Sequence, residues 1–416
     1  MAPPTERYPM PRRARANHFV EFQPHTRYKH LILQHYLERW VRKVLAGRPG
    51  VRRVVMVDAF AGAGRDDVGN DGSPIRMARV AAESEGQLSR ILGRPVRVEV
   101  VLIEKDPRHR DALRQCMAPF GDRIEVLDGT LATHLDFILA RYGDAPMLFF
   151  LDPYGIADLN ADLITAAVRG AGREVFMLVD DDGADRLARV AVRRTARRIR
   201  RLRAEAAQAS LFEDNDARLR RIQEQAAAIQ RQRDRTGELV APRLTQALGS
   251  EECWQRIADL TTAAARREAV VDQFERLLVL ADAPFTTRIP VRSASGRLEY
   301  VLLHASRVPQ GRSTMKTEVQ SALNRCELPE DVVEALRADA PLDLEAVVAQ
   351  VVARYSGREA SWPENQPDSI REYILQRTAA FPWHLDAIED RLRDLGYRMP
   401  GRAKRFSFPS LEQRAS

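Results

Sequence analysis

Cysteine is scarce in this chain of 416 residues. Only Cys116, Cys253 and Cys326 are present, far apart and with no Cys-x-x-Cys pair or paired histidines. Neither a disulfide framework nor a structural zinc site can be built locally from this pattern. We therefore predict a protein of a reducing compartment, the bacterial cytosol, with metal-free chemistry.

Long apolar runs are also missing. None approaches the roughly 20 residues that a membrane-spanning helix requires, and the N-terminal segment contains proline and arginine but no apolar core of a signal peptide. The sequence therefore predicts a soluble, cytoplasmic protein without a membrane partner. Because 44% of the residues are hydrophobic, the chain can bury a sizeable core and form two or three domains.

Lysine is rare as well, since arginine supplies all but five of the 65 basic residues. With 58 acidic residues the net charge is +7, and segment 186–203 alone holds nine arginines and no acid. The basic character is therefore local. A helix in this segment could follow a nucleic-acid backbone by contacting phosphates; the alternative is a solvated helix face. The arginines concerned are Arg193, Arg194, Arg197, Arg198 and Arg201.

Apolar runs typical of buried strands alternate with segments of helical periodicity in the first half of the chain. This order is typical of a parallel, doubly wound α/β sheet. Two further runs flank a Ser-Ala-Ser-Gly turn and predict a terminal strand pair, which completes a Rossmann-like sheet of seven strands. The strands are predicted at 54–58, 97–104, 124–127, 146–152, 174–180, 285–291 and 298–304, and helices at 27–45, 74–83, 108–117, 131–142, 161–168 and 268–281.

Changes in composition divide the chain into six segments. The arginine-rich stretch is free of Gly and Pro and predicts a helical hairpin inserted in the main fold. Near the C-terminus, helices 369–378 and 382–395 and a basic ribbon predict a winged helix-turn-helix, whose Arg402, Lys404 and Arg405 could contact phosphates. The segments are a disordered arm (1–24), the first part of the α/β core (25–184), the hairpin (185–240), the final core helices and strand pair (241–325), a helical linker (326–365) and the winged helix (366–416).

A glycine-rich turn follows the first predicted strand. The strand ends at Asp58, and the turn that follows contains Phe60, Gly62 and Gly64. The carboxyl edge of an open α/β sheet is where ligands bind, and glycine allows a ligand to approach the backbone. The full Gly-x-Gly-x-x-Gly of dinucleotide binders is absent, which favours a nucleoside ligand with an amino-acid tail, such as S-adenosylmethionine (SAM). A glycine turn that serves packing alone is the alternative.

Carboxylates end the next two strands. Glu104 follows the second strand, where an acid can accept both ribose hydroxyl protons of a nucleoside. Asp128 follows the third strand and is expected near an adenine edge. Both could instead be surface acids.

The fourth predicted strand ends in Asp152, Pro153 and Tyr154. An aspartate at this place can accept an exocyclic amino N–H, and an aromatic ring can stack on a flipped base. The three residues are therefore the predicted catalytic group, although they could also end a strand and fill the core. The acidic run Asp180-Asp181-Asp182 after the fifth strand is interpreted as a solvated turn, with a cation site as the alternative.

Several segments together resemble the three-Cys-motif partner (TcmP) family. They are Lys29-His30 with Tyr36-Leu37, then 57–64, Gly72-Ser73-Pro74, 151–155 and 305–311, in order over about residues 26–311. The resemblance implies a class I SAM-dependent methyltransferase-like domain with SAM as cofactor, a C-terminal winged helix and a mobile-element or defence context. It also implies a partner encoded nearby, a three-Cys-motif protein of the radical-SAM type.

The chain departs from related patterns in two places. Asp180 to Asp182 stand where family members usually have an Asn-Phe-type segment. The Asp-Pro-Pro-Tyr of amino-methyltransferases is shortened by one proline, which brings Tyr154 one position closer to Asp152.

Three classes of function follow from the sequence. The leading hypothesis is a SAM-dependent methyltransferase that acts on a base nitrogen of nucleic acid. The second is a winged-helix binding protein whose Rossmann-like domain senses SAM or a nucleotide without catalysis. The third is a methyltransferase that acts on a protein or small molecule together with the neighbour-encoded partner. The joint presence of Asp58, Gly62, Gly64, Glu104 and Asp152 favours the first.

Overall fold

The computed structural model describes residues 24–179, 221, 224–225, 227, 241–292, 297–325, 333–334, 337–338, 342–363, 369–399 and 404–410. Almost all of the predicted arm and of the predicted hairpin lies outside these residues. The same holds for the acidic run 180–182, the five hairpin arginines and Arg402. Among the described residues, no helix combines the length and the apolar character needed to cross a membrane.

Seven strands form one mixed sheet. They are β1 (Arg53–Asp58), β2 (Arg97–Glu104), β3 (Ile124–Asp128), β4 (Met147–Leu151), β5 (Arg173–Val179), β6 (Phe285–Arg292) and β7 (Leu298–Ser306). Their order is β3-β2-β1-β4-β5-β7-β6. The first five are parallel, and β7 runs antiparallel to both β5 and β6. The Rossmann-like seven-stranded sheet predicted from the sequence is thereby confirmed.

Helices cover both faces of this sheet. In chain order they are α1 (Pro24–Gly47), α2 (Ser73–Leu92), α3 (Pro107–Met117), α4 (Leu131–Tyr142), α5 (Ala161–Val168), α6 (Glu251–Asp259), α7 (Ala263–Leu280) and α8 (Pro309–Arg325). Short 3-10 helices occupy Ala118–Arg123 and Ile156–Asp158. The six helices predicted over this part of the chain are all present. Most ends differ by a few residues, but α2, predicted to end at residue 83, continues to Leu92.

The sheet separates two apolar cores. Successive strand residues point to opposite faces, so the wholly apolar run of β1 contributes to both layers. Val55 and Val57 pack with α4, α5, α6 and α7. Val54 and Met56 pack with α1, α2, α3 and α8 on the other face. The polar ends of the parallel strands are left at the carboxyl edge of the sheet.

A smaller C-terminal module has a third core. It is built from α9 (Leu344–Tyr355), β8 (Arg358–Ser361), α10 (Ile370–Arg377), α11 (Leu385–Asp394) and β9 (Arg405–Phe408), with a 3-10 turn at Pro382–His384. The strands β8 and β9 pair antiparallel. Val351, Ile374, Ile388 and Phe406 are buried together in this core.

The predicted boundary between the helical linker (326–365) and the C-terminal module has to be moved toward the N-terminus. The residues of the predicted linker in α9 and β8 belong to the core of the C-terminal module, because the apolar face of α9 packs against α10 and α11 and β8 pairs with β9. The module therefore begins near residue 342 and not at 366. Its assignment as a winged helix stays a prediction.

Candidate active site

Acidic side chains from three adjacent strands meet at the carboxyl edge of the sheet. Asp58 ends β1, Glu104 ends β2, and Asp152 directly follows β4. These strands are neighbours in the sheet, with β1 in the middle. The parallel register that the sequence predicts therefore brings the three carboxylates to one crevice, as expected for a ligand site in an open α/β sheet.

The glycine-rich turn after β1 lies directly beside these carboxylates, since the Gly62 amide donates to Glu104. Gly62 and Gly64 have φ of +66° and +87°, in the region that favours glycine. A Cβ on Gly62 would meet nothing within 4 Å, whereas a Cβ on Gly64 would lie 3.3 Å from Leu113 Cδ1. Gly62 therefore faces open space, where a ligand could approach, and Gly64 packs against α3.

Glu104 is buried and fixed by the backbone. The amides of Gly62 and Asp106 donate to its Oε2 and Oε1, each at 2.7 Å. Each oxygen keeps a further acceptor position, because a carboxylate offers about four lone-pair sites. The carboxylate is thus oriented in advance and can still accept a vicinal diol such as a ribose.

Asp58 is fully buried, with 0% exposure. Its Oδ1 accepts the Phe60 amide at 3.1 Å, and its Oδ2 has no hydrogen-bond partner within the described residues. Burial raises the pKa of Asp58 to about 7, and the negative charge of Asp152 adds to this; the Ser73 hydroxyl, the Phe60 amide and Lys29 act in the opposite direction. An unpaired buried carboxylate oxygen is costly and points to a missing partner at this edge.

Asp152 forms an ion pair that the sequence analysis did not anticipate. The ammonium of Lys29, on α1, donates to Asp152 Oδ2, and the two side chains are 8% and 20% exposed. One signal in the sequence was available, because Lys29 lies at helical spacing from Leu33, Tyr36 and Trp40 on the core-facing side of α1. A lysine at such a position needs a partner, and Asp152 supplies it.

Pro153 and Tyr154 follow at the rim of the crevice. Pro153 is buried, whereas Tyr154 is 49% exposed. Partial burial and the negative charges of Glu104 and Asp152 raise the pKa of Tyr154, which keeps its phenol protonated. Tyr154 thus lies near both carboxylates with an accessible ring, and it does not fill the core.

Two predicted cofactor residues lie at the margin of this cluster. Asp128 is aligned with Glu104 in the sheet, but its side chain is 61% exposed and pairs with Arg110. Phe60 is half-buried and packs on the apolar core next to the glycine turn. The structure thus brings Asp58, Gly62, Glu104 and Asp152 together and leaves Asp128 outside the buried group.

The two described residues among the predicted phosphate contacts of the C-terminal module lie at the start of β9. Arg405 is exposed, with a nitrogen 3.8 Å from a Glu359 oxygen, and Lys404 precedes it with a φ of +66°. These two residues belong to the module and not to the crevice. A nucleic-acid interface there stays a prediction.

No protein-family model and no curated protein matches this chain. Among solved structures it is similar to an O-methyltransferase from Bacillus cereus in complex with SAH, at 15% identity and a TM-score of 0.33, over 70% of this chain and 86% of that one. It is also similar to a conserved hypothetical protein of Streptococcus pyogenes, at 17% identity and a TM-score of 0.21, over 34% and 76%. A geranyl diphosphate methyltransferase in complex with GPP and sinefungin has 11% identity and a TM-score of 0.23, over 65% and 76%.

Proposed function

We propose that this chain is a SAM-dependent methyltransferase of the three-Cys-motif partner kind that methylates a base nitrogen of nucleic acid. One observation carries the proposal: Asp58, Gly62, Glu104 and Asp152 converge at the carboxyl edge of a seven-stranded sheet with an antiparallel β7. The fold alone would support many chemistries, so the argument depends on this set of side chains.

The residues fit a nucleoside that bears an amino-acid tail. Glu104 would accept the two ribose hydroxyls through its remaining lone pairs, since its carboxylate is already oriented by the Gly62 and Asp106 amides. The open space beside Gly62 accommodates the tail. When bound, SAM supplies an electrophilic methyl sulfonium; the chain supplies the orientation.

Asp152 is the proposed acceptor for the substrate. Lys29 holds its Oδ2, so Oδ1 is left to accept an N–H of the target amine. This contact would stabilise the positive charge that develops on the nitrogen as the N–C bond forms, and the interaction would strengthen in the transition state. Tyr154 would stack on the base, because its ring lies exposed beside the two carboxylates.

The nucleic-acid substrate rests on the exposed tyrosine and on the arginine-rich sequence 186–203. The three-Cys-motif partner and the mobile-element or defence context rest on the resemblance stated above. The cytoplasmic location is part of the proposal, and the scarcity of cysteine supports it.

The Lys29–Asp152 ion pair also favours a second candidate. A carboxylate already neutralised by a lysine accepts a further N–H less strongly, so the same site would suit a protein that binds SAM as a signal without transferring its methyl group. The two candidates share the cofactor and differ in turnover.

Two measurements test the proposal. Calorimetry with SAM and with its demethylated product S-adenosylhomocysteine (SAH) should give binding with one site per chain. Tritium transfer from methyl-labelled SAM should then label a DNA or RNA pool but not a protein pool. Binding without any labelled product would favour the sensor, and label in protein would favour a protein methyltransferase. Absence of binding would refute both candidates.

A further inference from the structure

A second buried polar group lies outside the crevice, between α1 and the sheet. It consists of Tyr36 of α1, Glu174 of β5 and His304 of β7, all of which are buried. The Tyr36 hydroxyl donates to Glu174 Oε2, and His304 Nε2 lies 2.9 Å from the same hydroxyl and 3.0 Å from the same carboxylate oxygen. Burial and the negative charge of Glu174 hold the pKa of Tyr36 well above its usual range, so the hydroxyl remains a donor. We call these three side chains the Tyr36 cluster.

Two sequence segments that the crevice does not use meet at the Tyr36 cluster. Tyr36 belongs to the first of the segments that carry the family resemblance, and residues 305–311 form the last. A Cβ on Gly311, in the first turn of α8, would lie 2.3 Å from Ser306 Oγ and 3.3 Å from Glu174 Oε1. A larger residue there would push the start of α8 away from the carboxylate. The cluster therefore lies where α1, β5, β7 and α8 meet.

The same face of α1 contacts the sheet acids at two points. Lys29 pairs with Asp152 at the carboxyl edge, and Tyr36 donates to Glu174 near the start of β5. Seven residues are close to two helical turns, so Lys29 and Tyr36 lie on one side of the helix, roughly 10 Å apart along its axis. A displacement of α1 at Tyr36 would therefore be passed on to Lys29.

Apolar packing alone leaves the position of α1 along the sheet less exactly defined. Between the two polar contacts α1 packs through side chains such as Leu33 and Leu37. Apolar contacts are non-directional, whereas a hydrogen bond weakens steeply when its distance or angle changes. Functional side chains have to be held within about 0.5 Å of their working geometry by supporting contacts. Buried ionisable groups are a weak source of net stability, but they can specify one arrangement.

We propose that Tyr36 is a positioning residue of the crevice: its hydrogen bond to Glu174 fixes α1 along the sheet and thereby places the Lys29 ammonium against Asp152 Oδ2. This inference rests on the proposed function, because Asp152 is the acceptor for the substrate there. Tyr36 acts only through Lys29 in this assignment. Its hydroxyl contributes to methyl transfer without contacting the reacting atoms.

A double-mutant cycle in the ligand-free full chain tests this placement. Tyr36→Phe keeps the ring and removes the hydroxyl, and Lys29→Met removes the ion pair. Denaturant unfolding gives the equilibrium constant of unfolding for each single variant and for the double variant. The factor by which Tyr36→Phe raises this constant should be at least about fivefold smaller in the Lys29→Met background, because the ion pair that Tyr36 supports is then absent. A hydroxyl that stabilises only its own surroundings would give the same factor in both backgrounds.

Tyr142→Phe is the matched control. The Tyr142 hydroxyl donates to Glu125 Oε2 at 2.8 Å, so this substitution removes the same kind of tyrosine–carboxylate contact. Tyr142 belongs to α4 and packs on the opposite face of the sheet from α1. Its effect on unfolding should be equal in the unmodified chain and in Lys29→Met.

Methyl transfer provides the second readout. With methyl-labelled SAM and the DNA or RNA pool, Tyr36→Phe should lower the rate of labelling about tenfold, which corresponds to about 1.4 kcal/mol in the barrier. Calorimetry should still give one SAH site per chain, which shows that the variant is folded. Glu174→Gln keeps an oxygen that accepts from Tyr36 and should retain most of the rate, whereas Glu174→Ala should lose it as Tyr36→Phe does.

The outcomes separate this inference from the proposed function. Equal effects of Tyr36→Phe in the two backgrounds would overturn the positioning role, whether or not the chain binds SAH. Coupling between Tyr36 and Lys29 in a chain that binds no SAH would support the placement of the ion pair and refute the proposed function. Undiminished labelling by Tyr36→Phe would show that the crevice does not need the hydroxyl, and the inference would be wrong while the proposed function stands.

Discussion

Replacing Asp58 by asparagine should change how the stability of the ligand-free protein depends on pH. Burial raises the pKa of Asp58 to about 7, whereas in the unfolded chain an aspartate titrates near 3.9. Between these two values the native state holds a proton that the unfolded state has lost, so the contribution of Asp58 is most favourable at low pH and is lost as pH rises toward 7. The full effect is about 4 kcal/mol, three pKa units at 1.36 kcal/mol each.

The measurement is denaturant unfolding of both proteins from pH 5 to pH 8 without ligand. From pH 5 to pH 8 the unmodified chain should lose about 3 kcal/mol of stability relative to Asp58→Asn. The free energy of unfolding of Asp58→Asn minus that of the unmodified chain therefore rises by this amount. A buried amide adds a cost of its own, but that cost is the same at every pH, so the slope and not the offset is the informative quantity. Asp144→Asn serves as control, because that carboxylate is exposed and pairs with Arg53 at the surface.

Parallel stability curves for Asp58→Asn and the unmodified chain would refute this reasoning. They would mean that Asp58 has a similar proton affinity in the folded and unfolded states. Such a result would place water or another partner at its Oδ2, and the site would then lack an unfilled acceptor.

Three further predictions concern neighbouring residues. Glu104→Ala should weaken SAH binding in calorimetry by about 100-fold, from two lost ribose contacts of roughly 1.5 kcal/mol each, and should also lower the melting temperature because the Gly62 and Asp106 amides lose their acceptor. Asp152→Ala should bind SAH nearly as well as the unmodified chain but abolish transfer of labelled methyl groups, because its contact is with the acceptor. Gly64→Ala should cost about 1–3 kcal/mol in denaturant unfolding, from left-handed backbone strain and crowding against α3.

Each of these predictions has a matched control. Glu99→Ala tests the Glu104 result, since Glu99 lies on the same strand but interacts with Arg53 and Arg97. Gly62→Ala tests the Gly64 result, because Gly62 also has a positive φ but a Cβ there would have no neighbour within 4 Å. Unaltered SAH affinity in Glu104→Ala, full turnover in Asp152→Ala, or equal costs at the two glycines would contradict the respective prediction.

The sheet could be predicted because its parallel strands are recognisable in the sequence as apolar runs. A parallel strand covered on both faces is a continuous apolar run, and the acids Asp58, Glu104 and Asp152 stand where those runs end. Parallel pairing then brings the acids to one edge without further information. The ion pair between Lys29 and Asp152 could not be obtained in this way, because it joins residues 123 positions apart through the packing of α1 on the sheet.

Two other elements, the helix α8 and the strand β8, were not predicted from the sequence, for physical reasons. The helix α8 buries polar residues among its apolar ones, so the apolar pattern of its inward face is interrupted; the polar residues are Ser313, Thr314, Lys316 and Glu318. The strand β8 has four residues and no β-branched or aromatic side chain, and it exists because β9 pairs with it. The sequence analysis consequently placed the C-terminal module too late in the chain.

A buried lysine of the sheet domain forms hydrogen bonds to the C-terminal module. Lys316 of α8 is 1% exposed and donates to the carbonyls of Thr378 and Ala380 at 2.7 and 2.8 Å. Its ammonium lies 5.5 Å from the centre of the Phe381 ring. A charge that leaves water for carbonyl oxygens is costly to expose again, so the module is held against the sheet domain by a directional contact.

The surface of α11 argues against direct base recognition by this module. Arg393 pairs with both Glu389 and Asp390 on the same helix, and Arg391 pairs with Glu345 of α9. A helix that reads bases in the major groove needs unengaged donors, and here any phosphate or base would have to displace a carboxylate first. Under the proposed function, base discrimination would then fall to the crevice at Asp152. The module would supply position and partner contacts.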